Sequence, residues 1–169
     1  MMLFGLFLSL FSIINAAPET VIDELRSGLT DNYSAKQLDS FEGDLSLEKD
    51  DLSQAYLGVV TMLKSKKAFF PSNKLKYFNR GSKLLDQAIS RDLENIEFRY
   101  LRFIFQMEVP GFLDYNANIF EDFNLFSCNL LASSYDLEYK KKMVSTLLEI
   151  KSIKSEHRII LNDLQAKLC

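Results

Sequence analysis

The residues whose types and spacing offer the most chemistry are Arg99, Tyr100, Arg102, Phe103 and Gln106, followed after a break by Tyr115. On a helix Arg99, Arg102 and Gln106 share one side, and two guanidinium groups so placed can clamp a carboxylate bidentately. Arg99, Tyr100, Arg102, Gln106 and Tyr115 are therefore the candidate ligand-binding residues. The alternative is intramolecular: Arg99 and Arg102 pair with Glu97, Glu108, Asp114 or Asp122 and stitch neighbouring helices together.

Other constellations offer less. The one histidine, His157, lies between Glu156 and Arg158 and is expected at the surface, so a histidine relay or a multi-histidine metal site within one subunit is not supported. Asp50-Asp51 and Glu121-Asp122 are adjacent carboxylates, but neighbours on a helix point about 100° apart and do not converge as a hydrolytic dyad. Asp114-Tyr-Asn116-Ala-Asn118 begins like a calcium loop. Ile119 then stands where the sharp turn wants glycine and Leu125 where a closing glutamate belongs, which leaves helix capping as the expected use. There is no phosphate-cradling glycine loop, nucleophile elbow or His-Glu-x-x-His motif. No catalytic, cofactor-binding or metal-binding residue is assigned, and the chain is not read as an enzyme.

The elements that position these residues read as helices throughout. Leu52, Ala55, Tyr56, Val59, Met62 and Leu63 recur at helical spacing in a segment from Leu47 to about Lys66. A second helix is expected from a cap at Ser72 or Asn73 to Arg91, with Leu75, Phe78, Leu85, Ala88 and Ile89 inward. Asn95 caps a third, which Pro110-Gly111 ends. Ile119, Phe123, Phe126, Leu130 and Leu131 mark a fourth helix; Met143, Leu147, Leu148 and Ile150 mark a fifth. A last one, capped by Ser155, carries Ile159, Ile160, Leu164 and Leu168. Shorter helices are expected at Val21–Leu29 and Ala35–Phe41. No segment keeps the two-residue alternation of a strand, so the fold class is all-α: helical hairpins or an orthogonal bundle of six to eight helices.

Composition agrees. The 169 residues are 47% hydrophobic and 25% charged, with only three Pro and six Gly, ordinary for one globular domain and too few turn residues for an all-β chain. The net charge of −3 gives no global attraction for nucleic acid or an anionic membrane. The charges nevertheless come in alternating blocks. Basic residues Lys64, Lys66, Lys67, Lys74, Lys76, Arg80 and Lys83 either neutralise neighbouring acidic helices or form a face that docks an acidic partner.

At the amino terminus, the uncharged run Leu3–Ile14 followed by Asn15-Ala16-Ala17-Pro18 has the layout of a signal peptide. The run is well short of the roughly 20 residues that span a bilayer. Removal of residues 1–16 leaves a single helical domain over 17–169, exported to the periplasm or beyond, with no transmembrane segment in the mature chain. No Lys or Arg precedes the run, so an uncleaved anchor or buried first helix is the alternative. Cys128, within an apolar stretch, is expected to be a small buried hydrophobe; its pairing with Cys169 is left open.

Residues 55–95 resemble a degenerate tetratricopeptide-type helical hairpin. Leu57-Gly58 matches that motif's Leu-Gly, and Gly81, Leu85 and Ala88 match its small, large and small contact residues. The connection is about eleven residues longer than the motif's, and Leu93 stands in place of its proline. Pro71-Ser-Asn-Lys-Leu, Asn95-Ile-Glu-Phe-Arg-Tyr-Leu-Arg-Phe and Pro110-Gly-Phe-Leu-Asp-Tyr also resemble an uncharacterised family of exported helical proteins from Gram-negative bacteria, over roughly residues 55–125. That resemblance implies a similar fold and address and no activity. The expected function is a non-catalytic interaction module for a protein or peptide, without cofactors. The rivals are a small-molecule or lipid-binding bundle, for which 14 Phe and 7 Tyr could line a pocket, and an enzyme of unrecognised class.

Overall fold

The structure is a computed structural model that describes residues 18–169. Among the described residues it is all-helical: α1 (Pro18–Gly28), α2 (Ala35–Ser46), α3 (Asp51–Lys67), α4 (Pro71–Arg91), α5 (Ile96–Glu108), a 3-10 turn at Gly111–Leu113, α6 (Ile119–Asn129), α7 (Leu137–Glu149) and α8 (Ser155–Leu168). The apolar run Leu3–Ile14 and the expected cleavage site lie outside the described residues. No described helix is long and apolar enough to cross a membrane.

Local chemistry sets most helix starts. Ser34 and Gln37 form a reciprocal capping box for α2, and the side chains of Asp50, Asn95 and Asp136 accept backbone N–H bonds at the starts of α3, α5 and α7. Three expected starts shift. Helix α3 begins after Asp50 rather than at Leu47, because the Asp50 carboxylate takes the Ser53 N–H at 2.9 Å. Helix α4 begins at Pro71 itself, since proline's fixed φ and missing N–H suit the first helical position, with Phe70 as the cap residue. Lys154, not Ser155, is the residue before α8.

Helices α3 and α4 are an antiparallel hairpin. Only Ala68, Phe69 and Phe70 separate them, so the length beyond the tetratricopeptide-type pattern is helix rather than loop. Arg91, ending α4, returns to Asp51 at the start of α3 at 2.7 Å. The two helices approach closely where glycines meet. A Cβ on Gly58 would stand 2.7 Å from the Gly81 carbonyl oxygen and 3.0 Å from the Leu85 nitrogen. The acidic α2 packs beside this basic pair: Lys64 bridges Asp39 and Glu42, and Arg80 reaches Glu42 at 3.1 Å.

Helix α5 is the axis of the fold, with every residue from Ile96 to Gln106 buried. A helix enclosed on all sides must satisfy its polar side chains internally. Around it α6, α7 and α8 complete a core that runs from Val21 to Leu168.

Several expected faces differ. Helix α8 buries His157, Leu161, Leu164 and Leu168, a stripe at spacings of four and three that leaves Ile159 and Ile160 exposed. His157 is thus 6% exposed instead of superficial, with its ring 4.2 Å from that of Phe123 and 5.3 Å from that of Phe103. Cys128 is exposed because Phe123, Phe126 and Leu130 take the buried side of α6, and neither it nor Cys169 is paired. Leu75 and Leu131 are also exposed.

Candidate functional site

The arginine cluster is built from three helices and a turn. Asn95 Oδ1 accepts the N–H groups of Glu97 and Phe98 at 3.2 Å, which fixes the rotation of α5 and turns Arg99 and Arg102 toward α6. There Asp122 is wholly buried. Arg102 donates Nε and Nη2 to its two carboxylate oxygens, each at 2.7 Å, and Nη1 to Asp86 of α4 at 3.1 Å. Arg99 donates Nη1 to Asp122 at 3.0 Å, pairs with Glu121 at 2.8 Å, and spends Nε and Nη2 on the Leu93 carbonyl at 3.0 and 2.9 Å. Burial pulls the Arg102 pKa down, but Asp122 and Asp86 more than reverse this and raise it, so the cation is locked in.

Of the candidate residues, the structure brings Arg99, Arg102 and Tyr115 together. The Tyr115 hydroxyl donates to Asp86 at 3.3 Å while its ring meets Phe78 edge-on at 5.3 Å. Tyr100 is buried and stacks on Phe126 at 5.5 Å, sharing no hydrogen bond with the arginines. Gln106 is buried with its side-chain oxygen unpaired. The carboxylates meeting the arginines are Asp122, which the sequence suggested, and Glu121 and Asp86, which it did not pair with them. Glu97 and Glu108 go elsewhere, to Arg26 and Lys66. An external carboxylate entering this cluster must displace one of these internal partners.

A second polar centre escaped the sequence reading altogether. Glu97 is buried, and Arg26 of α1 grips it through Nε and Nη2, both at 2.8 Å. The hydroxyls of Tyr56 on α3 and Tyr139 on α7 donate to the same carboxylate at 2.7 and 2.6 Å. Burial pushes the Glu97 carboxyl up; Arg26 and the two phenols outweigh it and hold the group below the usual range. Burial and the nearby Glu97 charge raise the Tyr56 and Tyr139 hydroxyls, which stay protonated donors. Four helices are thereby pinned at one carboxylate. The only sequence signal was an acid among residues expected to pack, with partners 71, 41 and 42 positions away.

The remaining acidic motifs are taken up locally. Asp50 caps α3 while Asp51 pairs with Arg91, so the two do not converge. In the Asp114–Asn118 segment, Asp114 adopts a left-handed φ of 50° and Asn118 makes no side-chain cap bond to α6. Its amide turns to Glu121 at 3.3 Å instead, which corrects the capping expectation. Among the described residues no three His, Cys, Asp or Glu side chains are grouped to hold a metal.

Among the described residues, a concave and mainly apolar surface lies between α3, α4 and the end of α5. Met62 of α3, Leu75 and Phe78 of α4, Phe105 of α5 and Val109 and Leu113 beyond it line an open groove of about 710 Å³. Lys66, Lys74 and Glu108 also line it, Lys66 and Glu108 as an ion pair. Leu75, expected in the core, forms part of its exposed wall.

No protein-family model, curated protein or solved structure matches this chain.

Proposed function

We propose that this chain is a non-catalytic helical module, exported to the periplasm or beyond, that binds a partner protein or peptide in the groove between α3, α4 and the end of α5. The observation that carries this reading is the groove itself. It is mainly apolar, open, walled by helices and large enough to seat the apolar face of a helix or an extended segment. The most deeply buried carboxylates, Glu97 and Asp122, are saturated by internal donors, which favours binding over catalysis at the polar clusters. Export rests on the Leu3–Ile14 run and on the resemblance to exported helical proteins.

The test is capture of the mature protein's partner from the native envelope fraction, followed by reconstitution with that partner purified. Leu75→Glu, a change at an exposed groove position, should weaken the reconstituted complex about tenfold or more without lowering the melting temperature. Equal affinity of the variant and the native chain would refute the groove as the binding surface.

A further inference from the structure

The tip of the α3–α4 hairpin is built unlike the rest of the molecule. Every residue from Phe69 through Lys76 is exposed. Phe69 and Phe70, the two residues at the apex, are 87% and 60% exposed, and their rings meet edge to face at 5.1 Å. Two adjacent phenylalanines facing water at a convex apex are a standing cost unless something apolar receives them.

Charge around the apex says what receives them. From Leu52 to Leu85 the chain carries seven basic residues and no acidic one. Carboxylates from elsewhere in the fold pair with Lys64, Lys66 and Arg80. Among the described residues, Lys67 donates to the neutral Asn32 side chain and forms no ion pair, and the side chains of Lys74 and Lys76 have no hydrogen-bonding or ion-pair partner. Lys67, Lys74 and Lys76 therefore flank the phenylalanine pair within two helical turns, as cations free of internal carboxylates. An apolar point ringed by cations matches a surface that is anionic at the headgroups and apolar a few ångströms deeper. A protein groove would need the complementary concavity, whereas a bilayer yields to a convex wedge. The chain's net charge of −3 does not oppose this, because the carboxylates that reach the hairpin, Asp39, Glu42 and Glu108, are already paired with Lys64, Arg80 and Lys66.

We infer that the α3–α4 hairpin tip docks on an anionic phospholipid surface, Phe69 and Phe70 entering the headgroup boundary while Lys67, Lys74 and Lys76 meet the phosphates. This attachment is peripheral and reversible: two aromatic side chains and a few lysines give a weak anchor, strengthened by adding anionic lipid and weakened by salt.

The experiment is co-sedimentation of the purified chain with vesicles of phosphatidylcholine alone and of phosphatidylcholine mixed equally with phosphatidylglycerol. The native chain should sediment with the anionic vesicles, remain in solution with the neutral ones and be released by high salt. Phe69→Ser with Phe70→Ser should lower partitioning about tenfold or more. Lys67→Gln with Lys76→Gln should cost about fivefold for each lysine. All these positions are exposed, so melting temperatures should hold, and each variant's circular dichroism checks that it is folded. Absence of binding to anionic vesicles, or equal binding by the folded Phe69/Phe70 variant, would overturn the inference. So would a lipid-free dimer that the Phe69/Phe70 change dissociates, which would make the tip a protein interface. The vesicles contain no protein partner, so either result leaves the groove reading to its own test.

Discussion

Gly58 of α3 and Gly81 of α4 lie back to back, each where the other's helix leaves no room for a side chain. A Cβ on Gly81 would stand 2.5 Å from the Gly58 carbonyl oxygen and 2.6 Å from the Met62 Cγ. The obstacle on both sides includes backbone, which cannot swing aside, so the hairpin's spacing depends on both glycines.

Gly58→Leu should therefore destabilise the protein by about 1–3 kcal/mol or more through overpacking. Gly58→Ala should also destabilise, although alanine is the better helix former by about 1 kcal/mol. Urea denaturation of both variants checks this, and a raised midpoint for Gly58→Ala would show that the helices can part without cost.

The Arg99–Asp122–Arg102 cluster makes a different kind of demand. Asp122→Ala leaves two buried guanidinium groups without their shared carboxylate and should cost about 3–5 kcal/mol. Arg102→Lys keeps the charge but loses the two-pronged grip and should also destabilise measurably. Glu138→Ala, which breaks an exposed pair with Lys141, should change stability by less than about 1 kcal/mol and serves as the control. Thermal melts of Arg99→Ala and Arg102→Ala, run beside a partner-capture assay, separate a structural tie from a ligand clamp: the tie lowers stability, the clamp lowers capture alone.

The helical order of the chain was legible because its signals are local. Alternating faces of α3 and α4, the caps at Asp50 and Asn95 and the break at Pro110-Gly111 all act within a few residues. Which face each helix buries was less legible, because that depends on neighbours distant in sequence. In α8, Ile159 and Ile160 compete with His157 and Leu161 for the core, and hydrophobicity alone selects the wrong pair. The polar side of α5 left open whether Arg99 and Arg102 bind a ligand or tie helices together; burial of the whole helix and the carboxylates of α4 and α6 make them internal ties. Asp122 had a readable clue, since it interrupts the stripe formed by Ile119, Phe123 and Phe126. The groove had none, because its walls come from α3, α4 and the end of α5.

Burial of His157 implies a pH-dependent stability whose sign follows from its lowered pKa. Burial lowers its pKa from 6.5, so the folded state binds a proton less readily than the unfolded chain. Its contribution is full above about pH 6.5 and is lost as the pH falls toward the depressed value. Urea midpoints compared at about pH 7.5 and about pH 5.5 should show this fall, and His157→Phe should reduce it. An identical fall in the variant would assign the effect to other groups.

Glu97 acts in a lower window. Its carboxyl is held below the ordinary value of 4.5, so its stabilising contribution is present above that value and lost as acid protonates it. Glu97→Gln should flatten the acid limb of the stability profile while lowering stability at neutral pH, because Arg26 then lacks its counter-charge. A steeper acid limb in the variant would contradict the assignment.

The central claim is that partner recognition occurs in the groove and not at the arginine cluster. The most direct measurement is site-specific photo-crosslinking in the native envelope, with a photoreactive residue placed at Leu75 in the groove or at Glu121 beside Arg99. The account expects a discrete crosslinked partner from position 75 and none from position 121. A partner captured from position 121 and absent from position 75 would contradict it and make the Arg99–Arg102 cluster the binding site.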